Sequence, residues 1–163
     1  QVARRIAALG KVENEEWEEA RPLLLQLIAN SGGEVKAEAF YNLALVNNKQ
    51  KKYERSSELV YQLIEELPDY KEWKMKGLIL LAENFWYQDD IFQANYTLDF
   101  VISQAYSAEV TNEAQSMKDK IALMERQAVE EKKAELQQQT DSLILDDGLM
   151  IIDETEEPAD SLR

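Results

Sequence analysis

The chain repeats itself with a period near 36 residues, and this repetition restricts its possible folds more than any other feature. Three segments align on a bulky anchor: ENEEWEEARPLLLQLI on Trp17, KQKKYERSSELVYQLI on Tyr53 and YQDDIFQANYTLDFVI on Ile91. A small side chain follows each anchor three residues later, in order Ala20, Ser56 and Ala94. Self-similarity at a fixed period predicts one supersecondary unit stacked several times.

A second helical pattern precedes each anchor and is clearest in AEAFYNLALVNNKQ. In this segment Phe40, Leu43, Ala44 and Asn47 fall at i, i+3, i+4 and i+7, the spacing of one helix face. The chain has only 5 Gly and 3 Pro, fewer turn formers than an all-β fold needs. The repeating unit is therefore predicted to be a helix-turn-helix hairpin and the chain to be all-α.

The unit resembles the tetratricopeptide repeat (TPR) in its middle copy, which is the best match. Phe40 stands at the bulky position, Leu43 and Ala44 at the Leu-Gly pair, Tyr53 at the turn aromatic and Pro68 at the terminator. The resemblance implies a right-handed superhelix of hairpins over residues 1–106, at about 1–30, 34–69 and 72–105. A long capping and projecting helix over 107–139 and an acidic, partly apolar tail over 140–163 are expected to follow.

Two departures from the family pattern bear on packing, and the register of the first copy has two alternatives. Asn47 stands where the family has Tyr, and Lys51 replaces a turn glycine. In the first copy two registers stay open: either Leu9 and Gly10 form the Leu-Gly pair with a shorter turn, or Ala8 takes the small position.

The predicted capping helix has one apolar stripe, formed by Val110, Ala114, Met117, Ile121, Met124 and Ala128. Its alternating steps of four and three indicate an amphipathic helix, and a repeat array must cover the apolar face of its last unit. The stripe fails between residues 129 and 139, so that part is expected to project into solvent.

The resemblance implies a concave partner-binding groove lined by the first helix of each hairpin. The residues placed on or beside it are Arg5, Leu9, Tyr41, Asn42, Leu45, Asn48, Lys49, Lys76, Ile79, Glu83 and Trp86. Tyr41 and Trp86 are either exposed anchors for a partner or rings packed against neighbouring helices. Some family members clamp a C-terminal carboxylate with five polar side chains. Arg5, Asn42 and Lys76 match three of these positions, but Leu9 and Leu80 occupy the other two, so that clamp is predicted to be broken.

The tail combines acids with the apolar residues Leu143, Leu145, Leu149 and Ile151. Asp147 and Gly148 form a favoured hairpin turn, which predicts either a small hairpin or an extended strand. Two roles stay open for the apolar side chains. They dock on the capping helix, or they insert into a partner while the surrounding acids set specificity.

Composition narrows the function. The formal net charge of -14 disfavours nucleic acid and anionic membrane surfaces as partners. No Cys or His is present, which removes thiolate nucleophiles, the commonest general base and the usual zinc ligands. The longest apolar run, 77–82, is far too short to cross a bilayer. We expect no catalytic residues, no metal and no cofactor.

The sequence therefore predicts a non-catalytic scaffold that binds a protein or peptide, with its oligomeric state left open. Because the chain opens at Gln1, it is expected to be the C-terminal part of a longer protein. The alternative is the regulatory or structural end of an enzyme whose catalytic domain lies upstream. The segment QDDIFQANYTLDFVI also resembles large bacterial cell-envelope repeat proteins, including some accessory to TonB-type systems, which implies the periplasm or envelope, with the cytoplasm as the alternative.

Overall fold

The computed structural model describes residues 1–152, with side chains described through residue 145. Seven helices occupy this part of the chain: α1 (Val2–Glu13), α2 (Trp17–Asn30), α3 (Gly33–Lys49), α4 (Tyr53–Glu66), α5 (Lys71–Tyr87), α6 (Ile91–Gln104) and α7 (Ala108–Ile152). The prediction of an all-α chain is confirmed. The chain divides into two compact units, Gln1–Ile121 and a second that begins at Ala122.

The first six helices form three consecutive hairpins, α1–α2, α3–α4 and α5–α6. Helix α3 packs against its own partner α4 and also against α1, α2 and α5. Helix α5 packs against α3, α4 and α6. Each hairpin therefore covers an apolar face of its neighbour as well as its own.

The three hairpin turns share one backbone geometry. A left-handed residue lies two positions before each anchor: Glu15 at φ 59°, Lys51 at φ 60° and Asp89 at φ 62°. The next amide then reaches back to the first helix in each turn: Glu16 to the Lys11 carbonyl at 2.9 Å, Lys52 to Asn47 at 2.8 Å and Asp90 to Phe85 at 2.9 Å. This six-to-one bond is the Schellman ending of a helix. The anchors Trp17, Tyr53 and Ile91 then begin the second helices.

Small residues recur in register at fully buried positions of the hairpins. Ala20, Ser56 and Ala94 on the second helices are each fully buried, and so are Ala8, Ala44 and Ala82 on the first helices. The first turn, residues 14–16, is as long as the second, residues 50–52. Of the two registers left open for the first copy, Ala8 at the small position is therefore the observed one.

A buried polar network joins the second hairpin to the third. The side chain of Asn84 in α5 is fully buried. Its oxygen accepts from the Asn48 amide at 2.8 Å, and its amide lies 2.9 Å from the Ser56 hydroxyl and 3.1 Å from the Ser57 hydroxyl. Because a buried amide must be paired to avoid a desolvation penalty, this network fixes how α3, α4 and α5 meet.

The beginning of α7 packs as predicted for a capping helix, but only as far as Ile121. Val110, Ala114 and Ile121 are buried, and Met117 packs partly buried against the same core. Met124 and Ala128 are exposed, so the buried stripe ends at Ile121, about two helical turns earlier than expected. Two contacts to α5 and α6 add to this packing: Lys118 pairs with Asp99, and the Lys120 ammonium lies 5.5 Å from the Trp86 ring centre.

Beyond Ile121, α7 continues without a break to Ile152. Asp147 and Gly148 are helical, so the prediction of a hairpin or extended strand in the tail is wrong. The flanking Leu, Ile and Met residues favour helix or tolerate it, and an isolated two-stranded hairpin is marginal in water. Leu143 and Leu145 are 66% and 69% exposed. The side chains of Leu149 and Ile151 lie outside the described part.

Membrane insertion was disfavoured from the sequence. Within residues 1–152, no helix combines the length and the apolar content that crossing a bilayer requires.

Replacing Lys51 by Gly is predicted to stabilise the first unit by about 0.5–1 kcal/mol. A side chain in the left-handed region costs roughly 1 kcal/mol, which Gly relieves, although Gly loses more backbone entropy on folding. The matched control is Lys49→Gly, which removes the same charge from the last residue of α3. This change should lower the free energy of unfolding by about 1 kcal/mol. Urea unfolding followed by Trp fluorescence measures both. Loss of stability in Lys51→Gly would contradict the turn geometry.

Replacing Ile121 by Ala is predicted to destabilise the first unit by about 2 to 5 kcal/mol, because its side chain is only 1% exposed. Leu136→Ala, at a position that is 59% exposed on the same helix, should change stability by less than about 0.5 kcal/mol. Chemical unfolding monitored by the three Trp residues reports on the first unit alone. Equal effects of the two changes would show that α7 does not pack there.

Candidate functional site

A hollow of about 400 Å³ opens between the first helices of the three hairpins and the start of α7. We refer to it as the groove pocket. Its walls come from α1 and α3 through Leu9, Val12, Glu13, Glu38, Tyr41 and Asn42. Helices α5 and α7 contribute Trp73, Lys76, Glu109 and Glu113. Four helices that are far apart in the sequence meet at this site. They do so because each hairpin packs against the next one along the chain.

Two aromatic rings form one wall of the groove pocket. The ring centres of Tyr41 and Trp73 are 5.6 Å apart and their planes are tilted by 44°. Both rings pack partly buried against the core. The indole nitrogen of Trp73 is buried and has no hydrogen-bond partner among the described residues. Since buried polar groups are normally paired, this N–H is an unused donor at the site.

The remaining walls carry an excess of negative charge, with four carboxylates and one ammonium. Glu38 forms a bidentate ion pair with Arg5, in which Nη2 of Arg5 donates to Oε1 of Glu38 at 2.8 Å and Nε donates to Oε2. Lys76 pairs with Glu72 at 2.9 Å, and its ammonium lies 5.1 Å from the Trp73 ring centre. Ion pairs to the other three carboxylates, Glu13, Glu109 and Glu113, are absent from the part of the chain that the structure describes.

The ionisation of Tyr41 and Lys76 reflects this charge. Burial raises the pKa of Tyr41 to about 12, and the negative charges of Glu113 and Glu83 act in the same direction. The hydrogen bond that the Lys76 ammonium donates to Glu72 raises the pKa of Lys76, with smaller contributions from Glu109 and Glu113. Glu113 contributes to both shifts with the sign expected of a nearby negative charge, since a carboxylate disfavours a phenolate and favours an ammonium.

The three residues that match the carboxylate clamp are engaged within the chain. Arg5 binds Glu38, Lys76 binds Glu72, and the Asn42 amide donates to the Glu38 backbone carbonyl at 2.9 Å. An incoming carboxylate would meet like charges rather than free cations. The chemistry of this site therefore disfavours anionic ligands.

The other residues predicted for the groove lie elsewhere. Asn48, Lys49 and Glu83 line a second hollow of about 360 Å³, together with the stacked rings of Tyr53 and Tyr87. Leu45 packs partly buried against the core.

Two predicted groove residues are withdrawn as direct partner contacts. Ile79 is only 3% exposed and belongs to the core, because α5 is apolar on several sides. Trp86 is partly buried, stacked on Tyr87 and covered on α7's side by Lys120. Of the two alternatives for Trp86, an exposed anchor or a ring packed against neighbouring helices, the structure therefore shows the packed ring.

Sequence reasoning missed several groove-pocket residues, chiefly Trp73, Glu109 and Glu113. Trp73 lies in YKEWKMKG, at the start of α5 and before the segment in which the repeat pattern is recognisable, although α5 and α3 have the same length of 17 residues. Glu109 and Glu113 are one helical turn apart on α7. This spacing places both acids on one face of α7, which the sequence could have shown. The helix was interpreted only as a cap, so that face was not assigned to the groove.

A second surface was also missed, an exposed aromatic row on α6. Phe92, Tyr96 and Phe100 are 77%, 67% and 42% exposed. The Phe92 and Tyr96 ring centres are 6.4 Å apart. Their i, i+4, i+8 spacing in the sequence was the available signal.

Among the side chains that the structure describes, residues 1–145, no group of three or more Asp or Glu is arranged to hold a metal ion. Comparison with protein-family models and with curated proteins finds no match to the chain. The description of the groove pocket therefore rests on its own geometry and charge.

Tyr41 is predicted to ionise near pH 12, above the ordinary value of 10.0. Because its pKa is raised in the folded state, its contribution to stability is complete below about pH 10 and is lost as the pH rises toward 12. The difference in tyrosinate absorbance between the parent chain and Tyr41→Phe measures this group. Glu113→Gln should lower its pKa, whereas Glu131→Gln, at an exposed site on α7, should not. A Tyr41 that ionises near pH 10 in the folded chain would contradict the buried placement.

Proposed function

We propose that this chain is a non-catalytic protein-interaction scaffold of the TPR-like type, in which stacked hairpins present a groove to a peptide segment of a partner. The observation that carries the proposal is the groove pocket itself. Side chains from α1, α3, α5 and α7 converge there on the Tyr41 and Trp73 rings. Aromatic anchors at a concave site are typical of peptide and protein recognition.

The dimensions of the pocket favour a segment over a folded surface. A volume of about 400 Å³ accepts one or two side chains of an extended peptide and lies within the range of small ligand sites. The Tyr41 and Trp73 rings give this volume an apolar wall, against which one side chain of such a peptide can pack.

The preformed packing also supports recognition of a segment. Tyr41 and Trp73 are held against the core, so they lose little conformational entropy when a ligand binds. A peptide bound there pays most of the ordering cost itself, which favours modest affinity and rapid exchange. A superhelical arrangement, a place in a bacterial envelope assembly and a periplasmic location belong to the same proposal and rest on the sequence resemblance.

The test is selection of peptides from a random library on the full chain, followed by mapping of the binding site through the indole signals in NMR. The chain has three Trp residues, so Trp17 and Trp86 serve as internal references. We expect selected peptides to bind with Kd values of micromolar order and to shift the Trp73 indole N–H while leaving Trp17 unchanged. Selection of no peptide, or of peptides that shift only Trp17, would refute the proposal.

A further inference from the structure

We propose that the groove pocket receives the Lys or Arg side chain of a basic peptide segment, an inference that rests on the proposed function and names its ligand. The first argument is charge. Glu13, Glu109 and Glu113 line the pocket without ion pairs in the described part of the chain, and Lys76 is already neutralised by Glu72. A cation entering the pocket gains charge-assisted hydrogen bonds that an apolar or acidic side chain cannot make.

The second argument is the aromatic wall. Ammonium and guanidinium groups are attracted to the faces of Trp and Tyr rings. The Lys76 ammonium already lies in this relation to Trp73, at 5.1 Å from the ring centre. Tyr41 and Trp73 are tilted by 44° to each other, so they form the apolar side of a site whose other side is carboxylate. This combination suits the long apolar stem and charged end of Lys or Arg.

Two other occupants fit the site less well. A metal ion needs several oxygen ligands at short range, and no such group of acids is found among the described side chains of residues 1–145. The chain's own segment from residue 140 to the end has eight acids and a single base, Arg163. Its charge has the same sign as the pocket, so electrostatic repulsion disfavours it as an internal ligand.

The decisive experiment compares two double variants of the full chain. Glu109→Gln with Glu113→Gln removes two acids, one helical turn apart, from the groove pocket. Glu131→Gln with Glu135→Gln removes the same charge, at the same spacing, from an exposed stretch of α7 outside it. All four positions are exposed, so the substitutions should leave thermal unfolding of the chain unchanged, which circular dichroism verifies.

The probe is a short fluorescein-labelled peptide of alternating Lys and Ser, followed by anisotropy at low salt and near 0.15 M ionic strength. We expect the pocket double variant to bind about tenfold more weakly than the parent and the α7 control to bind within about twofold of it. Equal weakening in both variants would mean that the peptide is attracted only by the net charge of the chain. Unchanged binding in the pocket variant would place the site elsewhere. Either result overturns the inference.

Two further arms identify the source of the cation. A peptide of alternating Glu and Ser should not bind, and spermidine should compete only far above the Kd of the basic peptide, because it lacks the peptide groups. Competition by spermidine at that Kd would overturn a peptide as the ligand. If the library yields peptides that shift Trp73 but contain no Lys or Arg, the scaffold function stands and this inference fails. If no selected peptide shifts Trp73, both fail.

Discussion

The structure of the first unit depends on apolar faces that are shared between hairpins. Ala8, Ala44 and Ala82 are fully buried on successive first helices, and their small size allows close approach of the neighbouring backbones. Helix α3 contacts four other helices, so it cannot be removed without exposing apolar surface on both sides. The same stacking places α1, α3 and α5 side by side. The groove pocket is therefore a geometric consequence of how the core is buried.

The Asn84 network adds specificity to this packing. Apolar side chains tolerate small shifts along a helix, whereas a buried amide loses its partners when the helices slide. Asn84 bonds with Asn48, Ser56 and Ser57 at 2.8 to 3.1 Å, so it holds α5 to both helices of the preceding hairpin. Trp73 and Lys76 lie on α5, the helix that carries Asn84. The network therefore also fixes the position of these two pocket residues relative to Tyr41 on α3.

The sequence predicted the parts of the fold that local chemistry determines. The anchors begin the second helices because the left-handed turn residue and the six-to-one bond place them there, even with Lys51 in place of a glycine. The placement of Tyr41 on the first-helix face followed from the register that the family resemblance implies. Trp73, Glu109 and Glu113 did not, because their meeting depends on how distant helices pack. The helical tail was missed for another reason: the Asp147-Gly148 pair favours a turn, but helix propensity on both sides of it prevails.

Helix α7 begins where the first helix of a fourth hairpin would begin, and it contributes Glu109 and Glu113 to the groove as such a helix would. The first helices α3 and α5 each end after 17 residues and reverse through a left-handed turn. Helix α7 passes that length without reversing and has 45 residues. Within residues 1–152 no helix follows α7 to complete a fourth hairpin. Because that turn is omitted, the series of hairpins stops at the third one on this side, and α7 forms the boundary of the groove pocket there.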